Sequence, residues 1–156
     1  MVVEHDEKTL LIRLARLNEA ISLADCAHLS YKKYVEQLGQ RPAPMLEDYI
    51  QIIQQHQVWV AEYHHRVVGF AVLKQTEEGY LLDNLAIHPD YQGLGVGGAL
   101  LRHAEEQARQ LGYSSIYLYT HERMLENQAL YSRKGYREYE RRQEAGYSRV
   151  FMRKTL

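Results

Sequence analysis

What this sequence has little of narrows its function first. It contains one cysteine, Cys26, so no internal disulfide can form. Cys26 sits in a helical pattern and reads as a small buried residue. No apolar run approaches the roughly 20 residues that span a bilayer. The N-terminal stretch MVVEHDEKTL is charged and lacks the apolar segment of a secretory signal. The expectation is a cytoplasmic protein without a membrane partner. Lys and Arg number 19 against 20 Asp and Glu, a net charge of −1, which gives no general pull on nucleic acid. Any anion bound here must be held by local geometry. The eight histidines form no H-E-x-x-H and no Cys/His ladder, so no metal is expected. His64 and His65 are adjacent and read as solvated turn residues.

What is present suits one domain covering 1–156. A chain of this length buries roughly 70% of the surface its unfolded form exposes, enough for a full core. Leu11–Ala15 reads as a strand. Asn18 is placed to cap a helix over Glu19–Leu29, where Ala20, Leu23, Ala24 and Ala27 recur at helical spacing. A short helix follows over Tyr31–Leu38, stopped by Gly39. Arg41–Pro44 is a stiff loop, and helical pattern resumes over Leu46–Gln55. Val58–Tyr63 and Val67–Leu73 are β-rich and joined by a hairpin at 64–66. Gly79–His88 is a third consecutive strand, ended by Pro89. A helix over Ala99–Leu111 carries an apolar stripe and closes at Gly112. Ser115–Thr120 is a strand and Met124–Lys134 a helix. Tyr136–Arg142 and Tyr147–Lys154 are final strands around Ala145-Gly146. The order β-α-α-β-β-β-α-β-α-β-β predicts an α/β (α+β) fold. Its mixed sheet has about seven strands flanked by helices, with early strands antiparallel and a later β-α-β unit parallel.

The most informative segment is Leu85-Ala86-Ile87-His88-Pro89-Asp90-Tyr91-Gln92-Gly93-Leu94-Gly95-Val96-Gly97-Gly98. Four glycines in six positions separate a strand from a helix start. A helix start presents free N–H groups and the positive end of the dipole. Glycine lets backbone approach an anion closely. The segment is a phosphate cradle built without basic side chains. It lacks the G-K-[ST] of a P-loop. Gly93, Gly95 and Gly98 satisfy G-x-G-x-x-G, but His-Pro-Asp-Tyr-Gln intervenes after the strand. The strand also comes from an antiparallel meander, and no acidic residue closes Ser115–Thr120 at the ribose position, which argues against a nicotinamide dinucleotide site.

Gln92-x-x-Gly95-x-Gly97, opening a helix after a strand that ends Leu-Ala-Ile-x-Pro, resembles the core motif of the GNAT superfamily of acetyltransferases. The segment Asn127-Gln-Ala-Leu-Tyr131-Ser-Arg-Lys-Gly135-Tyr136 is similar to that family's late helix. The element order agrees from Leu11 to the C-terminus, so the resemblance covers nearly the whole chain.

The resemblance implies an N-acetyltransferase passing acetyl from acetyl-CoA directly to a primary amine, on a small molecule or a peptide. It implies no metal. The pyrophosphate would lie on the amides of Gly93, Leu94, Gly95, Val96, Gly97 and Gly98, with Gln92 binding the cosubstrate beside them. Leu85, Ala86 and Ile87 would line the acetyl arm, with the Ile87 N–H facing the thioester oxygen as an oxyanion develops. Tyr131 matches the tyrosine that protonates the leaving thiolate. Many members carry an Asn seven residues before that tyrosine. Met124 stands there instead, and Asn127, one turn before Tyr131 on the same face, is the substitute contact to CoA. Asp83 is the candidate base for the amine, directly or through water. His121, Glu122 and Glu126 are weaker candidates. Tyr31, Tyr34 and Tyr49, with Glu36, Glu47 and Asp48, lie in the region that shapes the acceptor site. A homodimer is allowed for. The alternative is a non-catalytic acyl-CoA sensor or regulatory domain.

Overall fold

Short β-branched and aromatic runs become strands here, and apolar residues at 3.6 spacing become helices. The computed structural model describes residues 2–5 and 8–156. Among the described residues are eight strands: β1 Val2–His5, β2 Lys8–Leu14, β3 Gln57–Tyr63, β4 Arg66–Thr76, β5 Gly79–Ile87, β6 Ser115–His121, β7 Arg137–Glu144 and β8 Tyr147–Thr155. Five α-helices accompany them: α1 Ala20–Tyr31, α2 Val35–Leu38, α3 Tyr49–Gln55, α4 Val96–Gln110 and α5 Leu125–Arg133. The strand order is β1-β2-β3-β4-β5-β6-β8-β7. The β5–β6 pair is parallel, as a β-α-β crossover requires, and the β1–β2, β2–β3, β3–β4, β6–β8 and β7–β8 pairs are antiparallel. This is the mixed α/β sheet the sequence predicts.

Two compact units divide the chain, Met1–Leu73 with Asn84–Ala104, and Lys74–Asp83 with Glu105–Leu156. The first is cored by Leu23, Ala27, Val60, Val68 and Phe70, all essentially without exposed surface. The Tyr49 ring meets Phe70 edge-on at 5.5 Å. His64 and His65 form the two-residue turn between β3 and β4, both with positive φ, 52° and 62°. Paired left-handed residues match the twist of a hairpin. The second unit is cored by Ile116, Leu118, Val150 and Met152, brought to one face of the sheet by the β6–β8 register, in which Leu118 pairs with Met152. A polar anchor joins its elements. Glu105 of α4 is buried and accepts the Tyr136 hydroxyl at 2.8 Å and the Lys154 ammonium at 3.1 Å.

Three expectations shift. Asn18 does not cap α1. It lies in a 3-10 turn, Leu17–Glu19, and α1 begins at Ala20. Glu19 stands at the start of α1 without capping it by its side chain; its carboxylate accepts the Arg16 N–H at 2.7 Å, closing the 3-10 turn, and both terminal nitrogens of the Arg13 guanidinium donate to it. Leu46–Gln55 is not one helix. A 3-10 turn spans Ala43–Met45, and α3 starts only at Tyr49, where Asp48 accepts the Ile50 and Gln51 N–H groups. The strand β1 adds an eighth member to the seven expected.

Candidate functional site

The glycine loop belongs to the first unit and is built from the end of β5 onward. After Leu85, Ala86 and Ile87 the chain makes a 3-10 turn, Pro89–Tyr91, started by His88, whose Nδ1 accepts the Asp90 N–H at 3.1 Å. Gln92 reaches back and donates to the Ile87 carbonyl at 3.3 Å, tying the loop to the strand. Gly93 and Gly95 adopt φ of +79° and +86°, a region that other residues enter at a cost. A Cβ added at either would meet nothing within 4 Å. Glycine is therefore demanded there by the backbone and not by neighbouring protein, and the space above the loop is open.

Helix α4 starts at Val96, three residues before the expected Ala99. Gly97 and Gly98 thus lie in its first turn and not in the loop. The Gly95 carbonyl accepts the Ala99 N–H at 3.0 Å, the first bond of the helix. The N–H groups of Val96, Gly97 and Gly98 have no intrahelical partner, and the positive end of the dipole lies with them. Two left-handed glycines leading into bare first-turn amides suit a polyphosphate.

The end of β5 is unusual. Its parallel ladder with β6 covers only Tyr80–Leu82. The His88 N–H bonds the Val68 carbonyl of β4 at 2.8 Å, so the neighbouring Ile87 N–H points to the opposite edge. There the Ser30 hydroxyl of α1 accepts it at 3.3 Å. Tyr31, the next residue, places its hydroxyl 3.0 Å from the Leu85 carbonyl and 2.8 Å from the Asn84 Oδ1. The buried Asn84 amide in turn donates to Tyr49 at 3.2 Å, and Tyr49 to the Pro44 carbonyl at 2.6 Å. Two hydroxyls of α1 thus meet the backbone of β5 where a strand would, and Tyr49 of α3 holds the Asn84 side chain beside them. Gly69 closes the opposite side. A Cβ there would lie 2.8 Å from Ile87 Cδ1 and 3.0 Å from the Ala86 carbonyl oxygen, so only glycine lets β4 approach. Sequence reasoning named neither Ser30 nor Gly69.

The acceptor-region candidates, Tyr31 to Tyr49, lie in the first unit, and the remaining catalytic and CoA candidates belong to the second. Asp83 is largely buried. Its Oδ1 accepts the Tyr119 hydroxyl at 2.6 Å, and its Oδ2 lies 3.2 Å from Lys74 Nζ. The guanidinium of Arg149 stacks over the Tyr119 ring, 4.2 Å from its centre. Tyr131 is buried on α5, its ring centre 5.9 Å from that of Tyr136. Burial first, and the Glu105 carboxylate second, hold the Tyr136 phenol well above its usual pKa. Met124 is buried just before α5. Asn127, one turn before Tyr131, donates to the Met124 sulfur at 3.6 Å. His121, expected on the loop after the strand, is the last residue of β6 and has its pKa lowered by burial.

Cys26 is buried in α1, and burial pushes its thiol up to about 12. At neutral pH such a thiol is neither a nucleophile nor a metal ligand. No group of three His, Cys, Asp or Glu among the described residues is placed to hold a metal. No helix there is long and apolar enough to cross a membrane. A cavity of about 140 Å³ lies beside the loop, lined in part by Leu10, Tyr63, Tyr91 and Arg102. It is smaller than the roughly 300–1,000 Å³ of small-molecule pockets.

Comparison with known proteins agrees with this geometry. The family described as "Acetyltransferase (GNAT) domain" matches residues 54–138, which take in the loop, Asp83, Asn127 and Tyr131. An uncharacterized N-acetyltransferase of Escherichia coli (strain K12), YjgM, is 34% identical over 99 residues, 60% of this chain. The match spans 59% of that relative's length. The PaiA N-acetyltransferase of Thermoplasma acidophilum, solved in complex with coenzyme A, superposes with a TM-score of 0.80 at 20% identity, covering 94% of this chain and 99% of its own. A GNAT family acetyltransferase of Elizabethkingia anophelis with acetyl-CoA bound gives a TM-score of 0.68 at 18% identity, over 94% of this chain and 98% of its own.

Proposed function

Because the chain belongs to the GNAT acetyltransferase family, we propose that it is an N-acetyltransferase that carries the acetyl group of acetyl-CoA to a primary amine on a small molecule or peptide. The observation that carries this reading is the cradle. Left-handed Gly93 and Gly95 open onto the bare amides of Val96, Gly97 and Gly98, ten residues or so after a strand amide that no strand partner takes. The cradle holds the pyrophosphate of CoA with backbone alone, which fits a chain of net charge −1.

The roles follow from chemistry. The Ile87 N–H faces the thioester oxygen, where charge grows as the amine attacks. Leu85 and Ala86 flank it, and Gln92 fixes the loop to the Ile87 carbonyl. Tyr131 donates a proton to the departing sulfur. Asn127 shares the Tyr131 face of α5 and contacts CoA. The amine reaches the enzyme as an ammonium and must lose a proton before it attacks. Asp83 takes that proton through the Tyr119 hydroxyl, which donates to it at 2.6 Å. The reading is tested by whether free CoA thiol appears from acetyl-CoA only when an amine is supplied. Binding of acetyl-CoA without amine-dependent turnover would make the protein an acyl-CoA sensor instead.

A further inference from the structure

Helix α1 turns one stripe inward. Leu23, Cys26 and Ala27 fill it with apolar atoms, and one turn later the stripe ends in a buried hydroxyl, Ser30. A serine among apolar neighbours is accounted for by what it meets, the backbone N–H of Ile87 at 3.3 Å. That distance is longer than the usual 2.9–3.0 Å of an N–H···O bond, so the amide is held loosely. The hydroxyl accepts this N–H and keeps its own proton for another acceptor.

We propose that Ser30 is a catalytic residue, the second donor to the thioester oxygen beside the Ile87 N–H. The inference rests on the acetyltransferase reading, in which that amide faces the reacting carbonyl. The geometry permits it. An oxygen about 2.9 Å from the Ile87 nitrogen and about 2.7 Å from Ser30 Oγ, ordinary lengths for the two bond types, closes a triangle on the observed 3.3 Å side. The angle at the nitrogen is then about 50°, small enough for one N–H lying between the two directions to serve the incoming oxygen with the strand in place. When that oxygen takes the amide, the Ser30 hydroxyl loses its donor and turns its proton to the same oxygen. As the amine adds, two donors then face the negative charge on that oxygen. No covalent bond to Ser30 forms, and its proton stays on Oγ throughout.

The position of Ser30 supports this role. Tyr31 beside it addresses the Leu85 carbonyl and Asn84, and Asn84 is held by Tyr49. The last turn of α1 is therefore locked against β5 just before the amide that matters. Such a fixed donor costs no reorganisation when charge develops.

The test combines turnover with the vibration of the bound carbonyl. Ser30→Ala and Ser30→Thr are compared with wild type for kcat, for CoA dissociation constant by calorimetry, and for the C=O stretch of carbonyl-¹³C acetyl-CoA by difference infrared spectroscopy. Ser30→Ala should lower kcat by on the order of 10²-fold, the effect of losing one oxyanion donor. CoA, which has no carbonyl at that place, should bind as tightly as to wild type. The carbonyl band, lowered in wild type by two donors, should move back toward its free position in Ser30→Ala and stay low in Ser30→Thr. A Ser30→Ala enzyme within threefold of wild type and with an unmoved band would overturn the proposal and leave Ser30 as a partner of the resting amide. A faster Ser30→Ala enzyme would overturn it too, by making Ser30 a competitor for that amide. A wild-type protein that binds no CoA would instead overturn the acetyltransferase reading itself.

Discussion

The Tyr119 hydroxyl donates to Asp83 at 2.6 Å, and Lys74 holds the other oxygen of the same carboxylate at 3.2 Å. Each oxygen of Asp83 thus has a partner, and in the proposed reaction the substrate proton reaches Asp83 by way of the phenol. Asp83→Asn and Tyr119→Phe should each lower kcat by on the order of 10²-fold where the acceptor amine is protonated. The loss should shrink as pH rises past the pKa of the amine, because the amine then arrives neutral and needs no base. The measurement is the pH profile of kcat/KM for both variants. A loss of equal size at every pH, or none, would make the pair a structural ion contact.

Tyr131 is expected to act on the other side of the reaction. Tyr131→Phe removes the hydroxyl and keeps the buried ring, so the packing against Tyr136 should survive. A thiol with a pKa near 8.5 is a fair leaving group, which places the effect at the low end of general-acid contributions, about 10²-fold in kcat. Affinity for acetyl-CoA should change little. A kcat within about threefold of wild type would reduce Tyr131 to a packing residue.

Two glycines should fail in different ways. A side chain at Gly95 meets no protein atom within 4 Å, so Gly95→Val should fold, carrying about 1–2 kcal/mol of left-handed strain. It should lose acetyl-CoA affinity because the side chain fills the space above the loop. Gly69→Ala puts a methyl 2.8 Å from Ile87 Cδ1 and 3.0 Å from the Ala86 carbonyl oxygen. It should lose about 1–3 kcal/mol of stability by overpacking, and turnover with it. Urea unfolding and calorimetric titration of both variants separate the two cases. Unchanged affinity in Gly95→Val would show that the loop glycines serve the turn alone.

The loop was legible in the sequence because glycine density between a strand and a helix has few other causes. Its boundary was not. Glycine is a poor helix former, which pushed the expected start to Ala99, while a first turn held at one end by the Gly95 carbonyl tolerates Gly97 and Gly98. Asn18 had the right chemistry for a cap, but the 3-10 turn Leu17–Glu19 takes it up, and Glu19 at the start of α1 spends its carboxylate on Arg16 and on Arg13 of β2. Asp83 was visible as a carboxylate on the right strand, and the Tyr119 hydroxyl that occupies it was not. Ser30, Gly69 and Glu105 carried no local signal at all. Each acquires meaning from a partner far along the chain, Ser30 from Ile87, Gly69 from Ile87 and Glu105 from Tyr136, and no periodicity records such pairings.

Cys26 should reveal itself through alkaline stability. Burial pushes its thiol up to about 12, whereas an unfolded cysteine ionises near 8.5. Between those values the unfolded chain releases a proton that the folded chain keeps. The contribution is fully present below about pH 8.5 and declines as pH rises through the window, by up to about 1.4 kcal/mol per pH unit. Tyr80, likewise pushed up to about 12 by burial, adds to the decline above about pH 10. Cys26→Ala should flatten the fall in urea midpoint between pH 8.5 and 10 and keep near-full acetyl transfer. An unchanged slope would mean that the thiol is not shielded from solvent, and an acetyl thioester on Cys26 during turnover would replace direct transfer by a two-step mechanism.

Release of CoA thiol from acetyl-CoA, followed with a thiol reagent across a panel of small amines, aminoglycosides and peptide N-termini, tests the central claim most directly. Amine-dependent thiol release, with an equal amount of N-acetylated product by mass spectrometry, is the result expected of an N-acetyltransferase. Gly95→Val should abolish both signals together. Acetyl-CoA that binds and stays intact in the presence of every amine would contradict the account.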